Sequence, residues 1–289
     1  MNTTNRIKVI GQTFDEERAL YNLTHGDVEN CTFAGPADGE SVLKEARDVR
    51  VKDCTFSLRY PLWHAKGFTL EHSTMDDLTR APIWYAEDGT IADSTITGVK
   101  CLRECDRMRV VRSTVSSPEF GWRCRGLAVQ DSTVDAVYCM FESRDVEIKN
   151  LKMTGKYSFQ YIENLHIVDS YLDTKDAFWH TKNAFIENTT LKGEYLGWYS
   201  EGLTLVNCTI IGTQPLCYCK NLKLIGCKMI DCDLSFENSH VMADVVGEIT
   251  SVKNPLSGRI VADGYGEIIL EGNVAEEGYE SKCTIEVRQ

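Results

Sequence analysis

Nowhere in the 289 residues do about eighteen apolar residues run consecutively, the length a helix needs to cross a bilayer. A basic surplus is missing as well: Lys and Arg number 31 against 43 for Asp and Glu, a formal charge of −12. A surface of that sign repels phosphate backbones and anionic lipid, so neither nucleic acid nor a membrane is an expected partner. The opening residues Met1-Asn2-Thr3-Thr4-Asn5-Arg6 lack the apolar core of an export signal, and the expected location is cytoplasmic. A nucleophile elbow, a phosphate-binding loop, an HExxH pair and a dinucleotide fingerprint are all absent, and no cofactor is expected. No helical period of about 3.6 residues survives for long, which excludes leucine-rich and ankyrin repeats. No hexapeptide repeat points to a left-handed β-helix. Disorder is excluded in turn by 12 Cys, 5 Trp and 43% hydrophobic residues.

What is present is a repeat. The triplets Asn30-Cys31-Thr32, Asp53-Cys54-Thr55, His72-Ser73-Thr74 and Asp93-Ser94-Thr95 open a series that runs on to Gly226-Cys227-Lys228. Their third residues step by 23, 19 and 21, then by 19 seven times in succession. Four residues before each third residue the chain is always aliphatic, from Val28, Val51 and Leu70 to Leu205 and Leu224. Directly after it stands another apolar residue, from Phe33 and Phe56 to Ile210 and Met229. Alternate residues therefore point inward, as in strands, with Asp, Asn and Gly collected at the bends. The pattern predicts an all-β fold: a single-stranded, right-handed parallel β-helix of about twelve coils with capped ends. One domain is expected over residues 1–289: an N-terminal cap at 1–24, regular coils at 25–236, and irregular coils with a cap at 237–289.

The third segment of each coil is the most unusual. Eleven residues before the repeat position lies a column that includes Lys44, Trp63, Trp84, Arg103, Trp122, Phe141, Gln160, Trp179 and Trp198, and it holds all five tryptophans. The next column reads His64, Tyr85, Glu104, Arg123, Glu142, Tyr161, His180, Tyr199 and Tyr218, polar and aromatic throughout, so it faces water or a ligand. Strict alternation puts the Trp column inside, together with Ala65, Ala86, Cys105, Cys124 and Cys219. It turns Leu62, Ile83, Leu102, Met140, Phe159, Phe178 and Leu216 outward as an exposed apolar strip. A local bend would instead turn the tryptophans outward, since Lys44, Arg103 and Gln160 resist burial. Both arrangements stay open.

Chemistry is sparser. Cys31 and Cys54, Cys105 and Cys124, and Cys208 and Cys227 share columns in adjacent coils, within reach of a disulfide. They alternate with Ser, Thr and Ala as small core residues do, so free buried thiols are expected. Cys217 and Cys219 have no second pair to complete a zinc site, and no metal site is expected. Glu104 and Glu142 stand two coils apart, roughly 9.6 Å by strand spacing, at the upper edge for an inverting carboxylate pair. They form the candidate catalytic set with Arg123 between them; charge pairing down a ladder is the competing reading. His64, Tyr85, Tyr161, His180, Tyr199 and Tyr218 are the candidate substrate-binding residues, since tyrosines offer a flat apolar body with a polar tip.

Several third-segment phrases carry a resemblance. They are Gly39-Glu40-Ser41-Val42-Leu43-Lys44-Glu45, Tyr60-Pro61-Leu62-Trp63, Ala81-Pro82-Ile83-Trp84-Tyr85, Lys175-Asp176-Ala177-Phe178-Trp179 and Gly193-Glu194-Tyr195-Leu196-Gly197-Trp198, with Ser251-Val252-Lys253-Asn254-Pro255-Leu256-Ser257-Gly258 near the end. Over nearly its whole length the chain resembles an uncharacterised bacterial family of pectin-lyase-like β-helices, the domain of unknown function DUF3737. The resemblance implies the β-helix and carries no activity with it; Gln160 stands where an acidic residue is common in that family. Two functions follow from the sequence. One is binding, with processing as its extension, of an extended oligosaccharide along the third-segment face; an enzyme of this kind would be a carbohydrate-active hydrolase or lyase. The other is a non-catalytic scaffold, with the apolar strip joining a protein partner or a second copy of the chain.

Overall fold

The computed structural model describes residues 5–35, 39–271 and 280–289. Of the expected caps, residues 1–4 and 272–279 lie outside the described residues. The chain divides into two compact units, Met1–Ser143 and Arg144–Gln289. Among the described residues there is no helix. Parallel strands build a β-solenoid whose coils lie about 19 residues apart, and the chain makes about 14 turns where the triplets suggest about twelve. Further turns form where the triplet signature has faded. Ile7–Ile10 pairs in register with Thr24–Glu29, and Ser257–Ala262 with Lys282–Val287.

In the first unit one ladder aligns Val9, Val28, Val51, Leu70, Ile91, Val110 and Val129 on successive coils. A second aligns Phe14, Phe33, Phe56, Met75, Ile96, Val115 and Val134. In the second unit the corresponding ladders run through Ile148, Ile167, Ile186, Leu205 and Leu224, and through Met153, Leu172, Leu191, Ile210 and Met229. All but Phe14 are buried. Each such side chain contributes about 1.5–3 kcal/mol by leaving water, so the columns read from the sequence are the core.

The corner between the ladders explains the triplet. Its first residue takes φ near +50° at Asn30, Asp53, Asp93 and Asp131, and again at Asn150, Asp169, Asn188 and Asn207. Asn and Asp tolerate this left-handed conformation better than other side chains with a Cβ. The second residue then closes a buried hydrogen-bond chain. The Ser94 hydroxyl accepts from the Ser73 N–H at 3.1 Å and donates to the Ala92 carbonyl at 2.7 Å. Thr189 does the same for Ser170 and Glu187 at 3.2 and 2.8 Å. Cys54 fills this role in a weaker form, its sulfur accepting from the Cys31 N–H at 3.4 Å. All 12 cysteines are free thiols, and all but Cys283 are buried.

The third segment departs from strict alternation. Leu62, Ile83, Leu102, Met140, Phe159, Phe178 and Leu216 are at most 2% exposed, so the expected apolar strip is core and not surface. The reason lies in the backbone, which is mostly turn here. Left-handed residues stand on both sides of the Trp-column position, such as Phe178 and His180 around Trp179, or Leu102 and Glu104 around Arg103. Two reversals in three residues point the first side chain inward and the third outward, and lay the middle one along the corner. Ala65, Ala86, Cys105, Cys124 and Cys219 face inward as expected. The tryptophans are half-buried, neither inside nor free in solvent.

Candidate functional site

The Trp column is a framework for whatever lies beside it. In the first unit Trp63 stacks on Trp84 at 5.2 Å, and the Arg103 guanidinium lies 5.0 Å from Trp84 and 5.3 Å from Trp122. A cation between two indole faces gains cation–π attraction on both sides, which accounts for an Arg in this column. Each indole N–H also donates across a coil. Trp63 reaches the Ala81 carbonyl at 2.7 Å and Trp84 that of Lys100 at 2.8 Å; in the second unit Trp179 reaches Tyr195 and Trp198 reaches Gln214, each at 2.7 Å. Gln160 makes the same bond with its amide, to the Asp176 carbonyl at 2.7 Å. It is buried there as a structural substitute for Trp.

The next column carries every candidate site residue on the solvent side of its corner. In the first unit the His64 ring stacks on Tyr85 at 4.9 Å. Glu104, Arg123 and Glu142 follow on successive coils, linked by Glu104 N–H to Trp122 O at 2.8 Å and Arg123 N–H to Phe141 O at 2.9 Å. Arg123 Nε donates to Glu142 Oε2 at 2.6 Å, and that bond holds the guanidinium above its ordinary pKa, with Glu104 adding to the effect. Glu104 faces Arg103 at 3.6 Å. The structure thus brings the three expected catalytic residues together, as exposed groups with one carboxylate already engaged by the arginine.

In the second unit Tyr161, His180, Tyr199 and Tyr218 form a continuous ring stack, with centroids 4.8, 5.0 and 4.8 Å apart and planes within 15°. The sequence suggests flat faces offered to a ligand; here the faces are turned toward neighbouring rings, and the edges meet solvent. Each edge brings a phenolic hydroxyl or an imidazole nitrogen, one per coil. Burial and nearby Glu237 raise the pKa of Tyr218, which keeps its hydroxyl protonated as a donor.

Sequence reading missed Asp176. It stands in a column between Tyr157 and Tyr195, one coil to each side, and is buried although charged. No column signal marks it, since the same position carries Ala81, Lys100, Glu119 and Gln214 on other coils. A depression of about 350 Å³ beside Asn164, His166 and Asn183 lies on a different corner and includes none of the expected site residues. Among the described residues no group of three His, Cys, Asp or Glu could hold a metal ion.

The family described as "Protein of unknown function (DUF3737)" matches residues 8–286. The chain belongs to this family. No curated protein matches this DUF3737 chain. Among solved structures it is similar to PfbA, a surface adhesin of Streptococcus pneumoniae, at 8% identity and a TM-score of 0.33, covering 84% of this chain and 76% of that one. It is also similar to the A-module of the mannuronan C-5 epimerase AlgE4 of Azotobacter vinelandii, at 10% identity and a TM-score of 0.33, covering 98% and 89%. A third similar structure is the catalytic domain of a GH87 alpha-1,3-glucanase in complex with nigerose, at 10% identity and a TM-score of 0.29, covering 100% and 64%.

Proposed function

We propose that the second unit binds an extended, hydroxyl-rich oligosaccharide along the edge of its ring stack. The observation that carries the reading is the row Tyr161, His180, Tyr199 and Tyr218, which repeats a polar edge every 4.8–5.0 Å. A linear polymer with hydroxyls at each unit matches such a row, because hydroxyls both donate and accept. Binding, without processing, is the activity this favours: Glu142 is engaged by Arg123, and Glu104, Arg123 and Glu142 act as a charge ladder on an open face. His64 and Tyr85 offer the same kind of edge in the first unit. The scaffold alternative loses its named surface, since Leu62, Ile83, Phe159 and Phe178 lie in the core.

The test is a glycan array probed with the wild-type chain and a Tyr161→Ala/Tyr199→Ala variant. Wild type is expected to retain linear glycans, and the variant to lose at least about tenfold in affinity, as for two hydrogen bonds removed. Equal binding by the two, or none by wild type, overturns the reading.

A further inference from the structure

One outward sheet face of the second unit is apolar where the repeat does not require it. The strands Lys182–Glu187, Glu201–Val206 and Leu222–Ile230 pair in parallel and in register. Phe185, Thr204, Lys223 and, one coil on, Met242 therefore stand in one outward column, and Glu187, Val206 and Ile225 in the next. Phe185, Ile225 and Met242 are 40%, 50% and 52% exposed. In the first unit the same two columns carry Asp27 above Arg50 and Glu29 above Lys52, so the fold itself asks for no apolar residue here. The two charges on the face are also unusual. Elsewhere opposite charges pair across one coil, as Lys175 with Glu194 at 2.6 Å and Lys192 with Asp173 at 2.8 Å. Glu187 and Lys223 stand two coils apart in different columns, and among the described residues neither has an ion-pair partner.

We infer that this face joins two copies of the chain in a two-fold dimer, with Lys223 of each copy paired to Glu187 of the other. Phe185, Glu187, Ile225 and Lys223 are the corners of a rectangle of about 6.6 Å along the strand by 9.6 Å across two coils. One diagonal joins the two apolar corners and the other joins the two opposite charges. A two-fold axis laid along the apolar diagonal sets Phe185 against Phe185 and Ile225 against Ile225. The same operation carries each Lys223 to within roughly 4 Å of the position over Glu187, a mismatch that two long side chains span. The strands of the two sheets then cross near a right angle, one of the two ordinary ways for sheets to pack. Such an interface is isologous and closes on itself, so it stops at a dimer. The sheet runs over six coils, from Glu147 to Met242 in the Phe185 column. At about 29 by 20 Å it lets two copies bury roughly 1,200 Å², the lower bound for a stable interface. The dimer is therefore expected in the micromolar range. None of these residues belongs to the ring row, so the inference stands apart from the oligosaccharide reading.

The experiment is sedimentation equilibrium of the full chain as wild type, Glu187→Lys, Lys223→Glu and the Glu187→Lys/Lys223→Glu double variant, with a thermal melt of each. Both positions face solvent in the single chain, so all four proteins should melt alike. Wild type is expected to be a concentration-dependent dimer. Each single variant sets like charges against each other across the axis and should weaken the dimer about tenfold or more. The double variant restores the opposite pairing and should return to within about threefold of wild type. A wild-type monomer throughout overturns the inference, as does assembly beyond a dimer. Single variants that dimerise like wild type place any association on another face and overturn it too. A double variant as weak as the singles refutes the pairing of Lys223 with Glu187.

Discussion

At the scale of single residues, Asp176 shows how one side chain can work against the fold that holds it. Its pKa is raised by burial, with Lys156, Lys175 and Glu194 the charged groups around it. A carboxyl whose folded value lies above its unfolded one takes up a proton on folding, so its penalty is absent below the unfolded value. The penalty is complete above the folded value, and stability falls as pH rises between the two. Asp176→Asn removes that fall. Melts of the two proteins should nearly coincide at about pH 4 and separate in favour of the Asn variant at about pH 8. A separation that shrinks with rising pH would show that the carboxylate is stabilised after all. The residue escaped sequence reading because nothing in a lone acid between two tyrosines reveals whether it is buried. Gln160 was opaque for a similar reason: only the 2.7 Å bond to the Asp176 carbonyl shows it to be an amide standing in for an indole.

At the scale of the coil, two segments were legible and the third was not. The two ladders announced themselves because period-2 burial leaves aliphatic residues at fixed places, and Asp or Asn marks the left-handed corner between them. The third segment uses left-handed backbone at Phe159, Phe178, Leu216 and Met140, where bulky side chains rarely adopt it. No composition signal accompanies that choice, so alternation was carried through a turn and Leu62 was expected outside. The Ser, Cys and Thr column was legible as small and buried, though not as a hydrogen-bond chain. Its energetic role is open to measurement. Ser94→Ala leaves the buried Ser73 N–H without its acceptor and should cost about 1–3 kcal/mol in urea denaturation. Ser94→Cys should cost less, because a cysteine sulfur occupies the equivalent place at Cys54. Equal losses in the two variants would mean that volume, and not the acceptor, is what the column supplies.

At the scale of the whole molecule, the cysteines report on how well the coils exclude solvent. Adjacent-coil pairs such as Cys105 and Cys124 are spaced for oxidation by the strand separation of about 4.8 Å, yet each thiol is turned to backbone carbonyls. Cys105 Sγ donates to the Ile83 and Arg103 carbonyls at 3.4 and 3.3 Å, and Cys232 Sγ to those of Ile210 and Ile230, both at 3.4 Å. Burial pushes the thiol pKa up to about 11 at Cys54 and Cys219 and to about 12 at Cys217 and Cys232. Thiolate is the reactive form, so these four are weakly nucleophilic near neutrality; at Cys227 the hydrogen bond with Cys208 lowers the pKa instead, and only burial keeps reagents from that thiol. A disulfide-exchange dye at about pH 8 should therefore label the native protein slowly, beginning with the half-buried Cys283. In denaturant without reductant it should count all 12 thiols. Rapid labelling of several cysteines in the native state would mean that coils open locally and often, since each ladder residue is covered by the coils on either side. A denatured count well below twelve would instead place disulfides between cysteines that are free thiols in this structure.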